Sequence, residues 1–131
     1  MKSLYMLLLS LLLAACAGQA GDPVEGRRIY SMETLGSRQA PGCITCHSLE
    51  PGEVKVGPSH AEVGGRAEAL LLSDDYSGQA ESAAEYLRES ILEPNVHVVE
   101  GFEPGVMYQK YEEVLTEDQV KDLVAFLLTL R

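Results

Sequence analysis

Cys43-Ile44-Thr45-Cys46-His47 is the stretch on which the reading of this chain turns. Two cysteines separated by two residues and followed at once by histidine are the attachment pattern for a c-type haem. The chemistry sets the spacing. Each thiol adds across one vinyl group of the porphyrin, and the next residue's imidazole then lies beneath the ring as an axial iron ligand. A Cys-x-x-Cys pair alone also serves redox dithiols and half-sites for zinc. Zinc would need two more ligands, and beyond the motif only His60 and His97 remain, neither at paired finger spacing. A thioredoxin-like dithiol would sit in βαβ patterning, and none surrounds Cys43 and Cys46. The histidine therefore favours one covalent haem, with zinc and dithiol as the alternatives.

Toward the N-terminus, Met1-Lys2-Ser3 is a short positive segment, and residues Leu4 to Ala15 are apolar apart from Ser10. A run of about a dozen residues is too short for a membrane span, which needs about 20, and suits a secretory signal peptide. It ends Leu13-Ala14-Ala15-Cys16, which resembles the bacterial lipoprotein signal. That resemblance implies cleavage just before Cys16 and diacylation of its sulfur. Ordinary cleavage at a small-x-small site, leaving no lipid, is the alternative. The expected division is a signal peptide over 1–15, a lipidated tether over 16–22 and one domain over 23–131. The expected location is extracytoplasmic, anchored on the periplasmic side or the outer face of the cytoplasmic membrane. Export agrees with the haem, because c-type attachment occurs outside the cytoplasm.

The 131 residues suffice for one domain and not two. Ten basic and twenty acidic residues give a formal charge of −10. Loss of Lys2 with the signal leaves nine bases against twenty acids. A phosphate backbone selects for a basic surface, so nucleic acid is excluded as a partner.

Asp22-Pro23 reads as a helix start, with Asp as N-cap, Pro at the first helical position and Glu25 in the first turn. The helix is expected to run to Leu35 and stop at Gly36. A short apolar helix is expected around Ala67–Leu72. Ser82 and Glu85 form a capping box that opens a helix burying Tyr86, Leu87 and Ile91, ended by Pro94. Thr116 and Gln119 form another, ahead of a helix with Val120, Leu123, Val124 and Leu127 as its buried stripe. No stretch alternates convincingly as a strand. The chain reads as all-α with long loops.

The order of these segments resembles the class I cytochromes c over essentially all of residues 23–131. The resemblance rests on an N-terminal helix, CITCH, VGPSH (56–60), GGRA (64–67), YLRESILEPN (86–95), a loop with one methionine, and LTEDQVKDLVAFLLTL (115–130). The last and the YLRESILEPN segments are most similar to cytochrome c domains of bacterial oxidases and related respiratory complexes. The resemblance implies crossing first and last helices, with Gly26 and Tyr30 against Leu123 and Phe126, around one covalent haem. It implies Met107 as the sixth iron ligand, a soft neutral donor that favours Fe(II). Met32, the other methionine after Cys16, reads as packing on the proximal side. Pro58 is expected to offer its carbonyl to the His47 ring N–H, and Arg66 to lie near a haem propionate. Tyr76, Tyr86 and Tyr111 read as amphipathic residues at the core edge, and His60 and His97 as surface imidazoles. One departure stands out: the family usually follows this methionine with proline, and here the residue is Tyr108. The loop therefore lacks the stiffening a proline would give.

The resemblance implies an electron carrier rather than an enzyme, passing single electrons between respiratory or photosynthetic redox partners. Its acidic surface suits partners with basic docking surfaces, met either as a free shuttle or within a larger membrane respiratory complex. The alternative is a haem protein with open or weakly ligated iron, for small-ligand binding or peroxide chemistry. No distal histidine with an arginine in register supports it.

Overall fold

Asp22 and Pro23 begin the first helix as their chemistry dictates. In the computed structural model, which describes residues 20–131, α1 spans Pro23–Tyr30. The Asp22 carboxylate accepts from the backbone N–H of Val24 at 2.8 Å and satisfies an amide that the helix itself cannot. The readings on residues 1–15 and on Cys16 lie outside the described residues.

The helix ends at Tyr30 and not at Leu35. The Ser31 hydroxyl donates to the Arg27 carbonyl at 2.9 Å, and the Met32 N–H turns back to the Ile29 carbonyl at 3.1 Å. The chain then forms β1 (Thr34–Leu35), which pairs antiparallel with β2 (Ala40–Pro41). This two-residue ladder is the one exception to helix among the regular elements described. A single turn, α2 (Cys43–Cys46), follows, then α3 (Val63–Leu71) and α4 (Ala83–Leu92). A 3₁₀ turn over Tyr111–Glu113 precedes α5 (Glu117–Leu128). The fold is all-α, and α3 begins at Val63 rather than at Ala67.

The caps act nearly as expected. Thr116 and Gln119 close a reciprocal box at α5, with Thr116 Oγ1 accepting at 3.2 Å and Gln119 Oε1 at 2.9 Å. At α4 the Ser82 hydroxyl accepts from the Glu85 N–H at 3.2 Å, but the Glu85 carboxylate reaches one residue further back, to the Glu81 N–H at 2.8 Å. That box is therefore shifted at its second bond.

α5 is the hub of the packing, with α1, α3 and α4 all against it. Its buried stripe is Val120, Leu123, Val124 and Leu127, joined by Phe126. α1 crosses it at Gly26, where a Cβ would lie 1.9 Å from the Asp122 carbonyl oxygen. The missing side chain is what lets the two backbones touch. One turn on, the rings of Tyr30 and Phe126 meet edge to face, 5.3 Å apart. The Asp22 N–H donates to the Asp122 carboxylate at 2.7 Å and fixes the start of α1 on the same partner.

At the surface, Arg28, Arg38, Arg88, Lys110, Lys121 and Arg131 each reach a carboxylate: Glu25, Glu113, Glu117, Glu113 again, Asp118 and Glu68. Pairs this exposed contribute little to stability. Among the described residues no helix is long and apolar enough to cross a membrane.

Candidate functional site

Cys43 and Cys46 stand at the two ends of the single turn α2, three residues apart, so one turn of helix presents both thiols. Gly42 caps the turn from an extended conformation, and the Thr45 hydroxyl donates back to the Gly42 carbonyl at 2.6 Å. Both cysteines are free and half-buried. Burial pushes the Cys43 thiol up to about 11, which keeps it protonated.

His47 leaves the turn in an extended conformation, its N–H still bonded to the Cys43 carbonyl at 2.9 Å. The ring is buried, and Nδ1 lies 2.9 Å from the Pro58 carbonyl oxygen. A carbonyl can only accept, so Nδ1 carries the proton and Nε2 presents a lone pair. Burial lowers the pKa of this imidazole against the opposing effect of the Pro58 carbonyl, and so favours the neutral form that can bind a metal.

The 48–60 loop is shaped to make that contact. The Gly57 N–H donates to the Cys46 carbonyl at 2.9 Å, and the Lys55 ammonium to the Ile44 carbonyl at 3.1 Å. The Ser48 hydroxyl accepts from the Glu50 N–H and the Ser59 hydroxyl donates to the Glu50 carbonyl. At Gly57 a Cβ would sit 2.4 Å from His47 Cε1, so only glycine lets the loop approach the ring this closely.

His60 is not a surface imidazole. It is half-buried and stacked on His47, with ring centroids 3.8 Å apart and planes 17° from parallel. The Tyr30 hydroxyl lies 3.3 Å from its Nδ1. Burial pushes its pKa down to about 2, so the ring is neutral and stacks without charge repulsion. The His60 N–H is bonded to the Ser48 carbonyl at 2.8 Å, which ties this position to the residue after His47. His97 is half-buried too, beside the rings of Tyr76 and Tyr86.

Arg66 sends its guanidinium to the Ser59 carbonyl, bracing the same loop. Met107 is half-buried against the apolar core, on a stretch between α4 and the 3₁₀ turn that has no regular structure. Met32 lies beyond the end of α1, 38 % exposed, with its sulfur 3.7 Å from an Arg28 guanidinium nitrogen. It is a surface residue, and the packing role expected for it is not found. Tyr76 donates to the Glu89 carboxylate and Tyr111 to the Pro41 carbonyl at 2.6 Å, so both hydroxyls have protein partners.

Cys43, Cys46, His47 and Pro58 are thus brought together by two short segments. Two free thiols on one turn, followed by a neutral imidazole with Nε2 bare, fit a covalently attached haem c. Among the described residues no three or more His, Cys, Asp or Glu side chains gather where they could hold a metal ion, as a structural zinc site requires. A family model described as cytochrome c matches residues 23–131. No curated protein matches the chain.

Proposed function

The chain belongs to the cytochrome c family, and from that premise we propose that it is a monohaem electron carrier tethered by lipid outside the cytoplasm. Cys43 and Cys46 would hold the haem through thioethers, and His47 Nε2 and Met107 Sδ would ligate its iron. Once bound, the haem supplies a one-electron Fe(III)/Fe(II) couple. The chain's own residues do the rest. The Pro58 carbonyl keeps His47 in one tautomer and one orientation. Gly57 and His60 both lie against that ring, and a Met107 thioether on the iron would favour the reduced state. The observation that carries the reading is the His47–Pro58 hydrogen bond directly downstream of two free thiols.

The test is spectroscopic. The oxidised protein is expected to be low-spin and to show the weak near-infrared Met–Fe(III) charge-transfer band, and Met107→Ala is expected to abolish it. An unchanged band in that variant would sink the ligand assignment. A high-spin wild type that binds carbon monoxide readily would support the open-iron alternative.

Tether and partners follow from the sequence. Cys16 would carry the diacylglyceryl group, since stable anchoring takes two hydrophobic signals and two acyl chains supply them. The excess of acids would steer the carrier to respiratory or photosynthetic partners with a basic rim around their redox centre. Detergent-extracted protein, with its lipid verified by N-terminal mass, can be mixed with its native donor in stopped flow. The rate of electron transfer is expected to fall as ionic strength rises; a flat dependence would mean apolar docking.

A further inference from the structure

Tyr108 leaves the peptide chain after Met107 without the fixed φ that a proline would impose, yet the loop is not free. Asn95 follows Pro94 just beyond α4 and reaches across to both sides of the methionine. Its Oδ1 accepts from the Gly105 N–H at 2.8 Å, and its Nδ2 donates to Gln109 Oε1 at 2.6 Å. Those two contacts fall two residues before and two residues after Met107. Gln109 completes the ring of bonds by donating through Nε2 to the carbonyl of Met107 itself, at 2.5 Å. Below this the rings of Tyr108 and Tyr111 meet 4.9 Å apart, and the Tyr111 hydroxyl is tied to Pro41.

We infer that Asn95 and Gln109 are positioning residues that clamp Met107 for iron ligation, replacing local backbone stiffness with a side-chain bracket. The inference rests on Met107 being the ligand. The Gly105 N–H is held by Asn95 and the Met107 carbonyl by Gln109, and the two side chains are bonded to each other, with Asn95 anchored just beyond the end of α4. Loss of the bracket should therefore loosen the methionine without disturbing the helices. All three hydrogen bonds are exposed, and a net worth of about 1 kcal/mol for the bracket as a whole corresponds to a roughly fivefold shift in the equilibrium between held and released loop.

The experiment compares wild-type holoprotein with Asn95→Ala, Gln109→Ala and Gln109→Glu. Glutamate at 109 can still accept from Asn95 but cannot donate to the Met107 carbonyl, so it isolates that one bond. Two properties are read on each: the near-infrared Met–Fe(III) band and the rate at which carbon monoxide displaces the methionine from the ferrous protein. Far-ultraviolet circular dichroism checks that the helices are kept. The alanine variants are expected to bind carbon monoxide about five- to twentyfold faster, with a weakened band and unchanged helicity. Gln109→Glu should share the effect. Wild-type rates and bands in all three would overturn the clamp while leaving Met107 as ligand. A wild type without the band would instead overturn the ligand assignment, and the clamp with it.

Discussion

Alanine at both Cys43 and Cys46 is expected to leave a largely unfolded, protease-sensitive chain. The reason lies in how little each helix can do alone. α1, α3, α4 and α5 are 8, 9, 10 and 12 residues long, and isolated helices shorter than about 12–15 residues are marginal in water. Their stability must come from packing. One side of that packing is supplied by α5, but Ile44, Leu49, Met107 and Tyr108 are only partly buried against the core. A covalent porphyrin would cover such residues and would join the 43–47 turn to the Met107 loop. Native stability is typically about 5–15 kcal/mol, so losing that apolar centrepiece is expected to remove most of it. Circular dichroism and limited proteolysis of the purified double variant are the measurements, and native-like helicity without haem would refute the expectation.

Gly26→Ala is expected to destabilise the helix crossing. Two effects compete. Alanine is favoured over glycine inside a helix by about 1 kcal/mol. Against it, the new methyl group would lie 1.9 Å from the Asp122 carbonyl oxygen and 2.8 Å from the Phe126 Cβ. The first of these is backbone and the second is one bond from it, so neither can swing aside, and α1 must lift from α5. Overpacking typically costs about 1–3 kcal/mol, and a clash with backbone that cannot move aside belongs at the top of that range. The net result should be a loss of about 2 kcal/mol and a Tm lower by roughly 10 °C. Thermal and denaturant unfolding of the holoprotein will decide the sign. A variant as stable as the parent would mean that the two helices do not meet at Gly26.

Much of this architecture can be read from local chemistry. Asp22-Pro23, Ser82 and Thr116 with Gln119 announce helix starts because a cap is a bond between near neighbours. The stripes of α4 and α5 follow from helical period. The end of α1 is different. Residues 31–35 contain nothing that forbids helix, and what ends it is a ladder between Thr34–Leu35 and Ala40–Pro41, which is too short to have a period. The site divides in the same way. The thiols and the imidazole are a contiguous motif, whereas His60 acquires its place only when the 48–60 loop folds. Gly57-Pro58 reads as a turn, and nothing in those two letters says that a histidine ring lies 2.4 Å from where a side chain would start. Asn95 and Gln109 are fourteen positions apart, with no pattern to link them.

The surface ion pairs have a consequence at long range. Six of the bases are matched to five carboxylates within 4.0 Å, Glu113 serving both Arg38 and Lys110, and each of the four simple pairs forms a small local dipole whose potential decays faster with distance than that of a lone charge. Among the described residues the surplus acids have no basic partner within that distance, and they act together as a monopole. Screening reduces both, but at about 8 Å, the Debye length at physiological salt, the monopole is what an approaching molecule still feels. The protein can therefore look mixed in charge at contact and uniformly negative from afar. Long-range attraction would then sort partners by the sign of their field, leaving the choice of orientation to the last few ångströms.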